Sequence, residues 1–184
     1  MAKGKLITIT QLKGALKDLS QKELIELVAE ISKSCPHAKE FLTVRFLGDT
    51  KELMHKYKKK IEHEFYPSRG HARLNLREAK KAISDFKKIS SDKALHIELL
   101  IFYVENCVDF TDDYGEINES FYNSGESVFE QAVKTLNAAG EDVYKQYEQR
   151  INQIVDKSMN GGFSDILAHI RDDIKWFVDD EVYG

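Results

Sequence analysis

The sequence contains few residues that interrupt helices and few that carry redox or metal chemistry. Only two of its 184 residues are proline and ten are glycine, so few positions force a helix to end. The two cysteines, Cys35 and Cys107, lie 72 positions apart and form no Cys-x-x-Cys pair, which argues against a disulfide framework or a zinc ribbon. We therefore expect reduced cysteines and a cytoplasmic protein.

Long apolar runs and the common catalytic motifs are also missing. The most apolar stretch, residues 95–110, still contains Glu98, Glu105 and Asp109, whereas a membrane span needs about 20 predominantly apolar residues. The chain opens without an apolar leader. It contains neither a Gly-x-Ser-x-Gly motif nor a phosphate-binding glycine-rich loop. The sequence thus predicts no membrane segment, no cofactor and no catalytic residue, and an enzyme is the less favoured class.

Apolar residues recur three and four positions apart from residue 10 onward, with capping residues between the runs. This spacing predicts eight or nine helices. Ser20 and Glu23 form a capping box for the second helix, and Pro36 suits the first turn of the third. The expected buried side of that third helix consists of Phe41, Leu42 and Phe46. The last helix is expected over residues 163–178.

Residues 91–113 are apolar almost all round, which predicts the central and most buried helix. Its acidic side chains are confined to a narrow stripe, made of Glu98, Glu105, Asp109 and Asp112. His96 shares its side of this helix with Leu100 and Cys107, so we expect a buried histidine with a hydrogen-bond partner.

Short connections between successive helices favour antiparallel packing. We predict an all-α fold in which antiparallel helical hairpins stack as an irregular bundle or as a short right-handed α-solenoid. The 42% apolar content is sufficient for a core. We expect one domain over residues 1–184, within which residues 1–48 are a candidate N-terminal subdomain.

Charge is distributed unevenly along the chain. Residues 51–90 hold 12 Lys and Arg against 5 Asp and Glu, a net of +7, although the whole chain has a net charge of −4. This basic hairpin could follow a phosphate backbone. The candidate nucleic-acid face consists of Lys58, Lys59, Lys60, Arg69, Arg73, Arg77, Lys81 and Lys88. Charged residues also cover ordinary exposed helix faces, which is the simpler explanation.

Glu52, His55 and His63 have helical spacing that could place metal ligands on one side. Neighbouring lysines oppose cation binding, and no second Glu-x-x-His motif is present. No metal site is predicted.

Three stretches carry a family resemblance: LNLREAKKAISDFKKIS, LLIFYVENCVDFTDDYGEINESFYNS and GESVFEQAVKTL. From residue 12 to about residue 136, the chain resembles a family of uncharacterised bacterial proteins grouped as a domain of unknown function. The resemblance implies an α-helical fold and a bacterial intracellular protein. It implies no reaction, cofactor or catalytic residue.

The central stretch combines aromatic, amide and acidic side chains around one turn. This candidate binding surface consists of Tyr103, Glu105, Asn106, Asp109, Tyr114, Phe121, Tyr122 and Asn123. Such a cluster can bind a partner, or it can lock a corner between two helices. Our leading hypothesis is a small helical interaction or adaptor protein, without catalytic activity, that holds a protein or peptide in a helical groove. The alternative is a nucleic-acid-associated factor that uses the basic hairpin.

Overall fold

The computed structural model describes residues 6–48, 50–68, 74–159, 162–163 and 165–178. These residues form nine helices and no strand, which confirms the all-α prediction. In chain order the helices are α1 (Ile9–Lys17), α2 (Gln21–Ser34), α3 (Pro36–Leu47), α4 (Lys51–Phe65), α5 (Leu76–Ile89), α6 (Lys93–Tyr114), α7 (Glu119–Ala139), α8 (Glu141–Ser158) and α9 (Ile166–Asp172). The chain divides into two compact units, residues 1–48 and 49–184.

The smaller unit contains α1 to α3, and local capping defines where its helices begin. The Ser20 hydroxyl accepts a hydrogen bond from the backbone N–H of Glu23, and the Glu23 carboxylate accepts one in return from the backbone N–H of Ser20. Pro36 occupies the first turn of α3, where its missing N–H leaves no hydrogen bond unmade. The predicted capping box and helix start are both confirmed.

The smaller unit encloses no core among its described residues, because none of α1 to α3 contains a buried side chain. Phe41 is 47% exposed and Phe46 is 78% exposed, while Leu42 is half-buried. The prediction that these three residues form a buried side is therefore wrong. Helical spacing identifies an apolar side, but three short helices enclose too little volume to remove it from water.

The larger unit is built around α6, which is 22 residues long and packs against α4, α5, α7 and α8. The larger unit is thus an all-α bundle with α6 at its centre. Helix α7 runs antiparallel to α6, because Lys93 bonds to the carbonyl of Ala138 while Tyr103 bonds to Ser124. The prediction of a central, buried helix is confirmed.

Aromatic side chains form much of the core of the larger unit. The ring of Phe65 on α4 lies 5.5 Å from that of Tyr103, 6.2 Å from that of Phe110 and 6.3 Å from that of Phe121. All four side chains are buried, so large rings from α4, α6 and α7 meet at one place. No helix among the described residues combines the length and apolar character needed to cross a bilayer.

The last helix is shorter than the sequence predicts, because α9 ends at Asp172. The amide group of Asn137 on α7 donates to the carbonyl of Asp173, and its oxygen accepts from the N–H of Lys175. A side chain from another helix thus forms hydrogen bonds with backbone groups that would be paired within the helix if α9 continued. The predicted helix over residues 163–178 therefore ends too late, and it also begins too early, because α9 starts at Ile166.

Candidate functional site

Polar side chains from three helices converge around a cleft of about 520 Å³ between α4, α6 and α8. We call it the acidic cleft. Its lining consists of Glu62, Tyr66, Phe102, Glu105, Asn106, Val108, Asp109, Asp112, Asp113, Arg150, Gln153, Ile154 and Lys157. The volume falls in the range of ordinary ligand sites, about 300–1,000 Å³.

Arg150 on α8 is the centre of an ion-pair network with α6. Its Nε and Nη2 atoms donate to the two carboxylate oxygens of Glu105, each at 2.7 Å, and its Nη1 donates to Glu98 at 2.7 Å. Lys58 on α4 donates to the other oxygen of Glu98 and lies over the Phe102 ring. Two cations and two carboxylates therefore connect α4, α6 and α8.

The ionisation of this network follows from competition between burial and pairing. Burial raises the pKa of Glu98, but hydrogen bonds from Lys58 and Arg150 outweigh it, and the net pKa is below the usual value. Burial lowers the pKa of Arg150, but hydrogen bonds to Glu105 and Glu98 outweigh it in turn. Since pairing dominates in both groups, Glu98 and Arg150 stay charged at neutral pH.

Two further contacts line the cleft. Lys157 donates to Asp109 at 2.8 Å, and this hydrogen bond raises the pKa of Lys157. Tyr66 donates to Asp113 at 2.9 Å. Burial and that hydrogen bond both raise the Tyr66 pKa, so its hydroxyl remains a donor at neutral pH.

The cleft keeps an excess of negative charge after this pairing. Five carboxylates face two cations in its lining, a net of −3. Glu62 and Asp112 are exposed, and neither side chain makes a hydrogen bond or an ion pair within the part of the chain that the structure describes. Apolar surface from Phe102, Val108 and Ile154 lies beside them. Among the described residues, no group of three or more His, Cys, Asp or Glu is arranged to hold a metal ion.

The structure separates the eight residues of the predicted binding surface. Three of them line the acidic cleft, namely Glu105, Asn106 and Asp109. Tyr103 and Phe121 are buried in the core instead, where the Tyr103 hydroxyl lies 2.8 Å from that of Ser124.

The other three residues of that surface lie near the turn after α6 or on α7. Tyr114 is exposed and stacks on Phe110, and Asn123 is exposed. Half-buried Tyr122 packs edge-on against Phe163, while its hydroxyl oxygen accepts from the N–H of Ile117. The aromatic members of the cluster thus pack a corner between α6 and α7, and the polar members on α6 face the cleft.

The cations of the basic hairpin also have different surroundings in the structure. Lys58 contacts Glu98 and Phe102, while Lys60 lies 4.2 Å from the centre of the Tyr57 ring. Lys59 and Arg77 are exposed.

Two other cations of the hairpin have acidic partners on α5. Lys81 pairs with Glu78 and Lys88 pairs with Asp85. Arg69 and Arg73 lie outside the described residues. Three of the six described cations of the predicted nucleic-acid face are therefore ion-paired within the protein.

Sequence reasoning missed the part of the cleft that α8 supplies. Arg150 and Lys157 are seven positions apart, so they share one face of a helix. The acidic stripe of α6 has the opposite charge. Two helical stripes of opposite charge are therefore the feature of the sequence that indicates this contact. The two stripes lie about 50 residues apart, judging from the separation of 45 between Glu105 and Arg150 and of 48 between Asp109 and Lys157.

A family profile described as a family of unknown function, DUF6155, matches residues 7–173. Neither a curated protein nor a solved structure matches the chain.

Proposed function

The chain belongs to DUF6155, a family of unknown function, and we propose that it is a non-catalytic binding or adaptor protein that holds a basic, partly apolar segment of a partner protein in the acidic cleft. The observation that carries this proposal is the pair of exposed carboxylates, Glu62 and Asp112, beside apolar surface in a cleft of net charge −3. Lysine or arginine side chains complement that charge, and their alkyl stems complement the apolar surface.

The division of charge within the cleft supports binding. Arg150 and Lys157 neutralise Glu105 and Asp109 in pairs that hold α8 against α6. Both pairs join side chains of the protein itself, so they fix the walls of the cleft independently of a partner, and preorganised walls lower the entropic cost of binding. The side chains of Glu62 and Asp112 are left to bind a cation that a partner supplies.

The size of the cleft limits what it can hold. A volume of about 520 Å³ accommodates a few side chains of a partner. The cleft by itself therefore does not make a standard protein interface, which buries roughly 800 Å² on each partner. An exposed ion pair contributes about 0.2–1 kcal/mol, so two such pairs change affinity by about 2- to 30-fold. We therefore expect weak, salt-sensitive recognition of a short segment.

The test uses fluorescence polarisation with a labelled peptide of alternating arginine and leucine, and a matched peptide in which glutamate replaces arginine. The double variant Glu62→Gln/Asp112→Asn should weaken binding of the basic peptide by about 2- to 30-fold. The control variant Glu116→Gln/Asp142→Asn removes the same charge from exposed positions outside the cleft, and it should leave the affinity unchanged.

If both double variants weaken binding of the basic peptide equally, the peptide responds to the overall negative charge of the protein and not to the cleft. That result would refute the proposal. A labelled single-stranded oligonucleotide in the same assay tests the alternative function. Tight oligonucleotide binding that falls steeply with salt, and that is lost on charge reversal of Arg77, Lys81 and Lys88, would replace the proposal with phosphate-backbone binding by the basic hairpin.

A further inference from the structure

A second cavity of the larger unit, of about 260 Å³, lies between α5, α6 and α7 and shares no residue with the acidic cleft. Ile83 and Val128, both buried, form its apolar part. The polar side chains that line it are Lys80, Ser84, Lys87, His96, Ser127 and Gln131. All six can donate hydrogen bonds, and the lining contains no carboxylate, although the whole chain is acidic.

His96 is the most informative group in this cavity. Its side chain is 95% buried, as predicted, since its exposed fraction is 5%. The predicted hydrogen bond is wrong: both ring nitrogens are buried and neither has a partner among the described residues. Burial, with a smaller effect of Lys87, lowers the His96 pKa, so the ring is neutral at neutral pH. A neutral imidazole still carries one N–H donor, and a buried donor without an acceptor is costly.

The two lysines point to the kind of acceptor that is missing. Lys80 and Lys87 are two turns apart on one face of α5, about 10 Å along the helix axis. Neither makes an ion pair within the described residues. The next lysine after each of them, Lys81 and Lys88, does have an acidic partner. The flexible four-carbon stems of Lys80 and Lys87 allow their ammonium groups to converge on one anion.

We propose that this cavity binds the phosphate group of a small ligand, with Lys80, Lys87 and His96 as its principal donors. A phosphate group suits the lining better than a carboxylate does, because its several strong acceptor oxygens can engage more of the six donors. The cavity volume of about 260 Å³ is slightly below the usual ligand range, which favours inorganic phosphate or a small phosphomonoester over a nucleotide. This site is independent of the proposed function of the acidic cleft.

The test is calorimetric titration of the full chain with inorganic phosphate, with glycerol phosphate and, as the carboxylate probe, with acetate. We expect saturable binding of at least one phosphate probe and much weaker binding of acetate. The better of the two phosphate probes identifies the ligand as the free ion or as a phosphomonoester. Nitrogen NMR of the His96 ring should report a new hydrogen bond when phosphate is added.

Matched variants separate the site from general surface charge. The double variant Lys80→Ala/Lys87→Ala should weaken phosphate binding at least about tenfold, since two charge-assisted hydrogen bonds are lost. The control variant Lys81→Ala/Lys88→Ala removes the same charge from the same helix, and it should bind as the unmodified chain does. All four lysines are exposed, so neither variant removes core packing. Equal weakening by both variants, equally tight binding of acetate, or no saturable phosphate binding with an unchanged His96 spectrum would overturn the proposal.

Discussion

Replacement of Arg150 by alanine should destabilise the larger unit more than replacement of any exposed cation does. The substitution removes three charge-assisted hydrogen bonds of 2.7 Å. It also leaves Glu98 and Glu105 two turns apart on one face of α6, with Lys58 as the remaining cation of the network. The larger loss is therefore the desolvation of two half-buried carboxylates that no longer have a full complement of partners.

The magnitude follows from burial. Removing one member of a fully buried ion pair costs about 3–5 kcal/mol, whereas breaking an exposed pair costs about 0–1 kcal/mol. The side chains of Arg150, Glu98 and Glu105 are 29%, 19% and 27% exposed. These values lie nearer the buried limit, so we expect Arg150→Ala to lower the free energy of unfolding by about 2–4 kcal/mol. Arg150→Lys keeps the charge but not the bidentate geometry, and we expect a loss of about 1–2 kcal/mol.

Urea unfolding monitored by tryptophan fluorescence suits this measurement, because the single tryptophan, Trp176, belongs to the larger unit. Lys145→Ala is the matched control, since Lys145 also lies on α8 but pairs with Glu141 at the surface, where its side chain is 62% exposed. We expect that control to leave the free energy of unfolding unchanged within the precision of the measurement, because exposed ion pairs contribute little. If Arg150→Ala costs no more than Lys145→Ala, the network does not hold the helices together and the reasoning from burial is wrong.

Two further predictions concern acid and packing. Although burial raises the Glu98 pKa, hydrogen bonds from Lys58 and Arg150 hold it below its usual value in the folded state. The contribution of Glu98 to stability is therefore fully present above about pH 5 and is lost as the pH falls through the folded-state pKa. Glu98→Gln should flatten the decline of the free energy of unfolding between about pH 5 and about pH 3. A Cβ atom at Gly125 would lie 2.7 Å from the ring of buried Phe163, and the overpacking cost of about 1–3 kcal/mol should exceed the helix-propensity gain of about 1 kcal/mol. Thermal unfolding followed by circular dichroism should show that Gly125→Ala is destabilised. The control Gly14→Ala in α1, where an added Cβ has no neighbour within 4 Å, should be neutral or stabilising. A stabilised Gly125→Ala would contradict the packing argument.

The helices and their starting points could be predicted from the sequence because the forces that define them act over a few residues. Ser20 and Glu23 are three positions apart, and their capping box forms as expected. Asn75 likewise accepts from the N–H of Glu78 at the start of α5. The central position of α6 followed from its almost uniform apolar surface, because only a helix surrounded by others can bury every side.

The end of α9 and the exposure of α3 could not be predicted in the same way. The side chain of Asn137 bonds to Asp173 and Lys175, which lie 36 and 38 positions further along the chain. The sequence pattern of α9 itself therefore gives no indication of this contact. Phe46 has helical spacing appropriate to a buried residue, yet it is 78% exposed. Periodicity shows which side of a helix is apolar, whereas burial depends on what else packs there.

The candidate sites also combine features that follow from the local sequence with features that depend on packing. Composition and spacing were enough to predict the helices, the acidic stripe of α6 and the basic character of residues 51–90, because both are properties of neighbouring residues. Packing between distant helices brings Arg150 to Glu105, and it leaves His96 beside Lys87 with no hydrogen-bond partner among the described residues. The physical reason is that a cleft or a cavity is the space between helices, and its shape and charge depend on how side chains far apart in the chain pack against one another.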